Sequence, residues 1–439
     1  MKLLGQATLI FADRIAFAGS IFATGVLIAR TFGPEGFGLY VWASAIVQTV
    51  LGAIAVGTEA MFVRTYAAES DPQARHQVVN AFRKGLFRAA LCAAACLLAA
   101  GALANLMIPS DRSTESGAGL MLWAGAASLV QLPWMIGEWR LRARGEAGRI
   151  ARIRVPVLGA AFAFKCVLAV TGAPLHVLYA VIGLETAVLA SLFSLEAARR
   201  EKPSQTRTQS ALVPPLGLGE AFRLGFAAFL WIAFVRVNPV ILAAMANVNE
   251  TAVYGAALAL VLSFDLITTS LSAATFPSIV RERLGPDGSL SLLKRLAKAY
   301  AGLSVMFVLF IVLFGESVLK LVYGAAWDNG LPVLIALSVS TIFTSSGAVR
   351  GLYINLIGRS DIQVFNGLIG LGVLLPLSIA LSSQYGALGA AVAASIACAI
   401  SCIVASFLFE PTRVIGRMQL SSFFPRLRSS QPPADRISQ

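Results

Sequence analysis

Charge is what this chain has least of. Asp, Glu, Lys and Arg make up 13% of its 439 residues, against 57% hydrophobic residues. A soluble domain carries about 25% charged residues, and a folded chain of this size has too much surface to cover with so little polarity. Together with a mean hydropathy of +0.77, this excludes a disordered chain and argues against a soluble enzyme. Histidine is nearly missing: His76 and His176 stand far apart and offer no metal site. The five cysteines, Cys92, Cys96, Cys166, Cys398 and Cys402, all fall in apolar runs. Two pairs have i,i+4 spacing, which suits one helical face and not a CxxC redox or zinc site. The sequence implies no cofactor and no metal.

A nucleotide-binding P-loop is also missing, so work done by this chain does not come from nucleotide hydrolysis by that route. Long polar segments facing one side are absent. The longest loops on that side, about residues 109–118 and 316–330, hold Asp111, Arg112 and Glu115, and Glu316, Lys320 and Asp328. Neither set offers a base–nucleophile constellation. A membrane glycan polymerase or ligase is therefore disfavoured, and the chain reads as a non-enzyme.

Apolar runs of about 20 residues are what the chain has in abundance, and each is long enough to cross the hydrocarbon core. Twelve are expected. They cover about residues 7–30, 37–60, 86–108, 119–139, 155–172 and 175–198, then 221–245, 252–276, 296–315, 331–356, 362–381 and 386–409. The first contains Asp13 and Arg14 and lacks a convincing cleavage site, so it reads as a span and not as a signal peptide. The polar stretch from Arg199 to Leu218 divides the chain into six spans and six. The expected fold is all-α and polytopic, with about 12 transmembrane helices in two six-helix bundles around a central cavity. Residues 1–198 form the first bundle and 199–220 a linker. Residues 221–410 form the second bundle and 411–439 a basic tail.

The net charge of +13 is not spread evenly. Arg64, Arg75, Arg83 and Lys84 fall in one loop, and Arg140, Arg142, Arg144, Arg149, Arg152 and Arg154 in the next loop on the same side. The linker, the loop around Arg281 to Lys298, Arg359 and the tail continue the series, while the intervening loops hold little beyond Arg112 and Lys320. Positive loops stay in the cytoplasm. Both termini are thus expected there, in a multi-pass protein of the cytoplasmic (inner) membrane. The same pattern accounts for the basic balance without nucleic acid.

Charges within spans are costly and usually face a water-filled path or a partner. Arg236, Arg14, Lys165 and Arg350 are candidates for the wall of a cargo cavity. Asp265, Asp13 and Glu185 are candidates for ion coupling or charge pairing. Arg236 and Asp265 are alternatively a pair that holds two helices together, and Arg350 lies near enough to its helix end to snorkel. Guanidinium binds phosphate oxygens in a fork, so a cationic cavity suits a diphosphate or an acidic sugar. Pro239 removes a helix hydrogen bond, and Asn238 beside it is expected to help satisfy the freed group. Gly33, Pro34, Gly36 and Gly38 form a tight turn between the first two spans, with Gly38 also suited to close helix packing.

The segment Arg30 to Tyr40 (RTFGPEGFGLY) resembles the first hairpin of the polysaccharide-biosynthesis flippases, which belong to the multidrug/oligosaccharidyl-lipid/polysaccharide exporter superfamily. Gly57 to Tyr66 (GTEAMFVRTY), Phe314-Gly315, Leu321 to Ala325 (LVYGA), Asn355 to Arg359 (NLIGR) and Tyr385 to Ala391 (YGALGAA) follow in the family's order. The resemblance implies a V-shaped pair of bundles working by alternating access. It implies a lipid-linked oligosaccharide as cargo, its head in the cavity and its tail among membrane lipids, and polysaccharide polymerase partners. A coupling ion, proton or sodium, is expected to act at Asp265 or Asp13. Drug exporters share this architecture, so a cation-coupled multidrug or small-molecule exporter is the alternative.

Overall fold

The computed structural model describes residues 2–69, 71–107, 117–129, 131–199, 218–282 and 288–423. The linker 199–220 and the tail beyond 423 therefore lie largely outside the described residues. The elements in the first half are α1 (Lys2–Ala68), α2 (Pro72–Met107), α3 (Gly117–Leu129), α4 (Ile136–Ala143), α5 (Ala147–Val170) and α6 (Leu175–Arg199). The second half has α7 (Leu218–Met245), α8 (Val248–Glu282), α9 (Gly288–Tyr323), α10 (Leu331–Ile357) and α11 (Ser360–Ala399). A π-turn at Ile400–Val404 leads to α12 (Ala405–Leu408) and then α13 (Arg413–Phe423).

Among the described residues, nine helices are long and apolar enough to cross a membrane, or ten when a bent pair counts as one. That pair is Gly119–Trp134 with Ile136–Ala143, bent by 41°, and a 3₁₀ turn containing Pro133 comes just before the break. The chain is an all-α multi-pass membrane protein. Its outward faces are apolar, as in α9, where Met306, Leu309, Phe310 and Leu313 are exposed. In lipid that exposure carries no penalty.

Two of the nine are far too long for one crossing, at 43 and 49 residues. Both fold back on themselves. Gly33 in α1 adopts φ 68°, ψ −168°, a conformation that a side chain disfavours. A Cβ on Gly25 would lie 3.5 Å from the Phe37 ring, although in a straight helix twelve residues span about 18 Å. The chain therefore reverses at Gly33 and gives α1 two antiparallel limbs. In α11 the reversal falls at Gly386, with φ 54° and ψ −132°. A Cβ on Gly370 would stand 3.1 Å from the Cβ of Ser401, where a straight helix would separate them by about 46 Å. Glu250 closes this second turn by accepting the Ala387 N–H at 2.7 Å.

The second limb of α1 joins the halves by packing on α7 and α8. A Cβ on Gly38 would overlap the Val248 carbonyl oxygen, and one on Gly255 would lie 3.1 Å from the Val41 Cβ. Each helix thus offers a glycine to the other's valine, which brings the two backbones close. Two helical segments extend beyond the expected spans. Helices α2 and α9 begin well before residues 86 and 296, because a helix need not stop where hydrocarbon ends. The segment from 411, read as a tail, begins with α13, whose Ile415 is buried with Tyr300 and Val349 against α9 and α10.

Candidate functional site

Arg236 stands alone. It lies about 27 Å along α7 from Leu218, half-buried, with no hydrogen bond or ion pair to any described residue. Tyr40 on α1 and Tyr254 on α8 are the ionisable groups in its electrostatic reach. The expected pairing with Asp265 is not formed. Measured from the turn between α7 and α8, Arg236 is about 14 Å deep and Asp265 about 26 Å deep, too far apart in level to meet. The Asp265 carboxylate instead accepts one long hydrogen bond, 3.4 Å, from Thr344 Oγ1 on α10.

Pro239 sits in an uninterrupted α7 with no non-helical residue. Asn238 beside it does not serve the carbonyl that Pro239 frees. Its fully buried amide donates to the Tyr254 hydroxyl at 2.9 Å and to the Ala390 carbonyl at 3.2 Å. Its carbonyl accepts from Ser378 Oγ at 2.7 Å. One side chain thereby ties α7 to α8 and to both limbs of α11.

The other intramembrane charges have partners. Lys165, 2% exposed, donates to Glu185 Oε2 at 2.5 Å and to Thr24 Oγ1 at 3.2 Å. This joins α5, α6 and α1, so Glu185 is a charge-pair residue. Arg350, 7% exposed, donates to the carbonyls of Ser401 at 2.6 Å and Cys402 at 3.2 Å, and to Ser406 Oγ at 3.2 Å. A π-turn disturbs the regular ladder, and this guanidinium satisfies carbonyls within it. Lys165 and Arg350 are thus both buried against protein partners.

At the end of the first half that carries the basic loops is a cavity of about 760 Å³. Its polar wall holds Asp13, Arg14, Glu138, Arg142 and Arg154, with Gln131 and Thr186. Arg154 donates to Asp13 Oδ2 at 2.6 Å and to Glu138. Arg142 bridges Glu138 and Glu59, each at 2.5 Å. Arg14 is exposed and makes no bond to a described residue. Asp13 and Arg14, adjacent in sequence, thus divide into a paired and an unpaired group. The rest of this network is hidden in the sequence, where Arg142 and Arg154 fall among the loop charges. Arg140 and Arg154 are in fact buried. The signal available was Glu138 four residues before Arg142, spacing that pairs charges on one helix face. Among the described residues no cluster of His, Cys, Asp and Glu is arranged to hold a metal ion.

No family model matches the chain, and no curated protein matches it in sequence. Solved structures do match in fold. An inward-facing multidrug-resistance MATE transporter of the MOP superfamily superposes with a TM-score of 0.69 at 16% identity, covering 92% of this chain and 95% of that one. The lipid II flippase MurJ, in an inward closed conformation, gives 0.68 at 15% identity, covering 99% and 94%. A MOP-superfamily transporter from Pyrococcus furiosus, described as having a binding pocket of reverse polarity, gives 0.61 at 15% identity, covering 94% and 95%. The chain has the fold of the MOP-superfamily transporters.

Proposed function

We propose that this chain is an alternating-access transporter that carries a polyprenyl-diphosphate-linked saccharide across the cytoplasmic membrane for surface polysaccharide synthesis. Nine long helices, two of them hairpins, and the bent α3–α4 pair support it; in this reading they make twelve crossings in two six-helix bundles. Residues 199–220 link the bundles, and the basic loops and both termini face the cytoplasm. The chain acts as a carrier and makes no covalent bonds. The observation that carries the reading is Arg236, a cation inside the fold with no partner among the described residues. A guanidinium left free in low-dielectric surroundings is poised for an anionic head group. Arg14 at the cytoplasmic cavity is a first contact for the same charge.

The test is complementation in cells that lack the chain. Arg236→Ala should abolish surface glycan and accumulate lipid-linked units at normal protein level, and Arg236→Lys should retain part of the activity. Normal glycan export by a well-expressed Arg236→Ala overturns the assignment.

A second reading, a cation-coupled exporter of small organic molecules, has its own support. MATE transporters recur among the structural neighbours, and the comparisons weigh on its side. Asp265 has one long hydrogen bond and no cationic partner among the described residues, as suits a carboxylate that exchanges a proton or sodium ion. Drug efflux by the purified chain in liposomes, lost in Asp265→Asn, with no effect of Arg236→Ala on surface glycan, would establish it.

A further inference from the structure

The hairpin motif at Arg30–Tyr40 has a second role beyond turning the chain. We infer that it is the outer gate, latched by Arg30 onto the end of α9; this rests on the alternating-access reading. Helix α9 ends at Tyr323, and its last carbonyls have no partners within the helix. Gly324 N–H reaches the Lys320 carbonyl at 2.9 Å. The next two carbonyls are taken by the other half of the molecule: Arg30 Nε donates to Val322 at 2.8 Å, and its Nη2 to Leu321. A cation there also faces the negative end of the helix dipole.

Beneath this latch lies an aromatic seal drawn from both halves. Phe37 meets Tyr323 and Trp327 at 5.9 and 5.5 Å between ring centroids, and Phe22 meets Tyr323 at 6.5 Å. Tyr40, in turn, packs on Tyr179 at 6.1 Å. Phe37, Tyr323 and Trp327 are all nearly fully buried. Below the seal come the Gly38–Val248 and Val41–Gly255 crossings, and then Arg236, within electrostatic reach of Tyr40. Arg236, with no partner among the described residues, is thus walled off from the outer side by a plug to which the motif contributes Phe37. Opening requires the first-half hairpin to leave α9, and the latch adds to the packing of the seal the loss of two charge-assisted hydrogen bonds from one exposed side chain. Exposure makes such a latch weak enough to be reversible.

The test needs no cargo. In the full chain freed of its native cysteines, Ser44→Cys places a thiol one turn beneath Tyr40, where the native serine is 8% exposed. A membrane-impermeant maleimide added to intact cells should label it slowly, and Arg30→Ala should raise the rate about tenfold. Arg30→Gln, which keeps one donor, should fall between. A separate pair, Val41→Cys with Gly255→Cys, should form a disulfide in the closed state, with a yield that drops when Arg30→Ala is added. If Arg30→Ala leaves both readouts unchanged while Trp327→Ala raises labelling, the latch is overturned and the transport reading stands. If no variant ever labels from outside, both are overturned.

Discussion

Replacing Lys165 with methionine is the most informative single perturbation of this fold. Lys165 and Glu185 are almost fully enclosed, 2.5 Å apart, with Thr24 the only other group on the ammonium among the described residues. Lys165→Met keeps the length and loses the charge, which leaves the Glu185 carboxylate buried and unpaired. Breaking a buried pair from one side costs about 3–5 kcal/mol. At about 2 °C per kcal/mol for a large folding unit, the thermal midpoint in detergent should fall by at least about 6 °C. Glu185→Leu should do the same from the other side. The double variant Lys165→Met/Glu185→Leu removes both charges, and Thr24 can turn its hydroxyl to a carbonyl of its own helix. It should recover to within about 2 kcal/mol of the parent. Size-exclusion chromatography after a heating series measures all four proteins. A double variant no better than the singles, or singles as stable as the parent, refutes the pairing argument. A stable double variant that has lost transport would return Lys165 to the cargo path.

Three further outcomes are expected. Arg350→Met should leave the Ser401 and Cys402 carbonyls short of a donor and cost about 2–3 kcal/mol, seen by hydrogen exchange as faster amides around residues 400–406. Gly38→Ala forces α1 away from the Val248 carbonyl, so the thermal midpoint should drop by the equivalent of about 1–3 kcal/mol, whereas Gly19→Ala, with open space around it, should be neutral or stabilising. Asn238→Ala removes three hydrogen bonds at once and strands the partners on α8 and α11. It should cost about 2–4 kcal/mol and be less well tolerated than Asn238→Ser, measured as yield of monodisperse protein.

Composition and pattern alone determined that this chain lives in a membrane, since 57% hydrophobic residues in runs of about 20 have no other solvent. They also set where the chain turns back first, because Gly33-Pro34 interrupts an otherwise continuous apolar pattern. Local rules act over a few residues, and local features were the ones the sequence made plain. It also placed Lys165, Glu185 and Arg350 within spans, and all three are buried. What each of those charges does was decided only by tertiary structure. Lys165 and Glu185 are twenty residues apart, and Arg350 and Ser401 fifty-one, so no periodicity could announce either contact. Arg236 and Asp265 looked complementary along the chain, yet antiparallel packing sets them at depths about 12 Å apart. Arg154 looked like a loop charge but is buried between Asp13 and Glu138. Apolar runs along the chain mark which segments can cross lipid. Helix depth and rotation, set by how whole helices pack, fix which charge meets which, and so which one has no partner among the described residues.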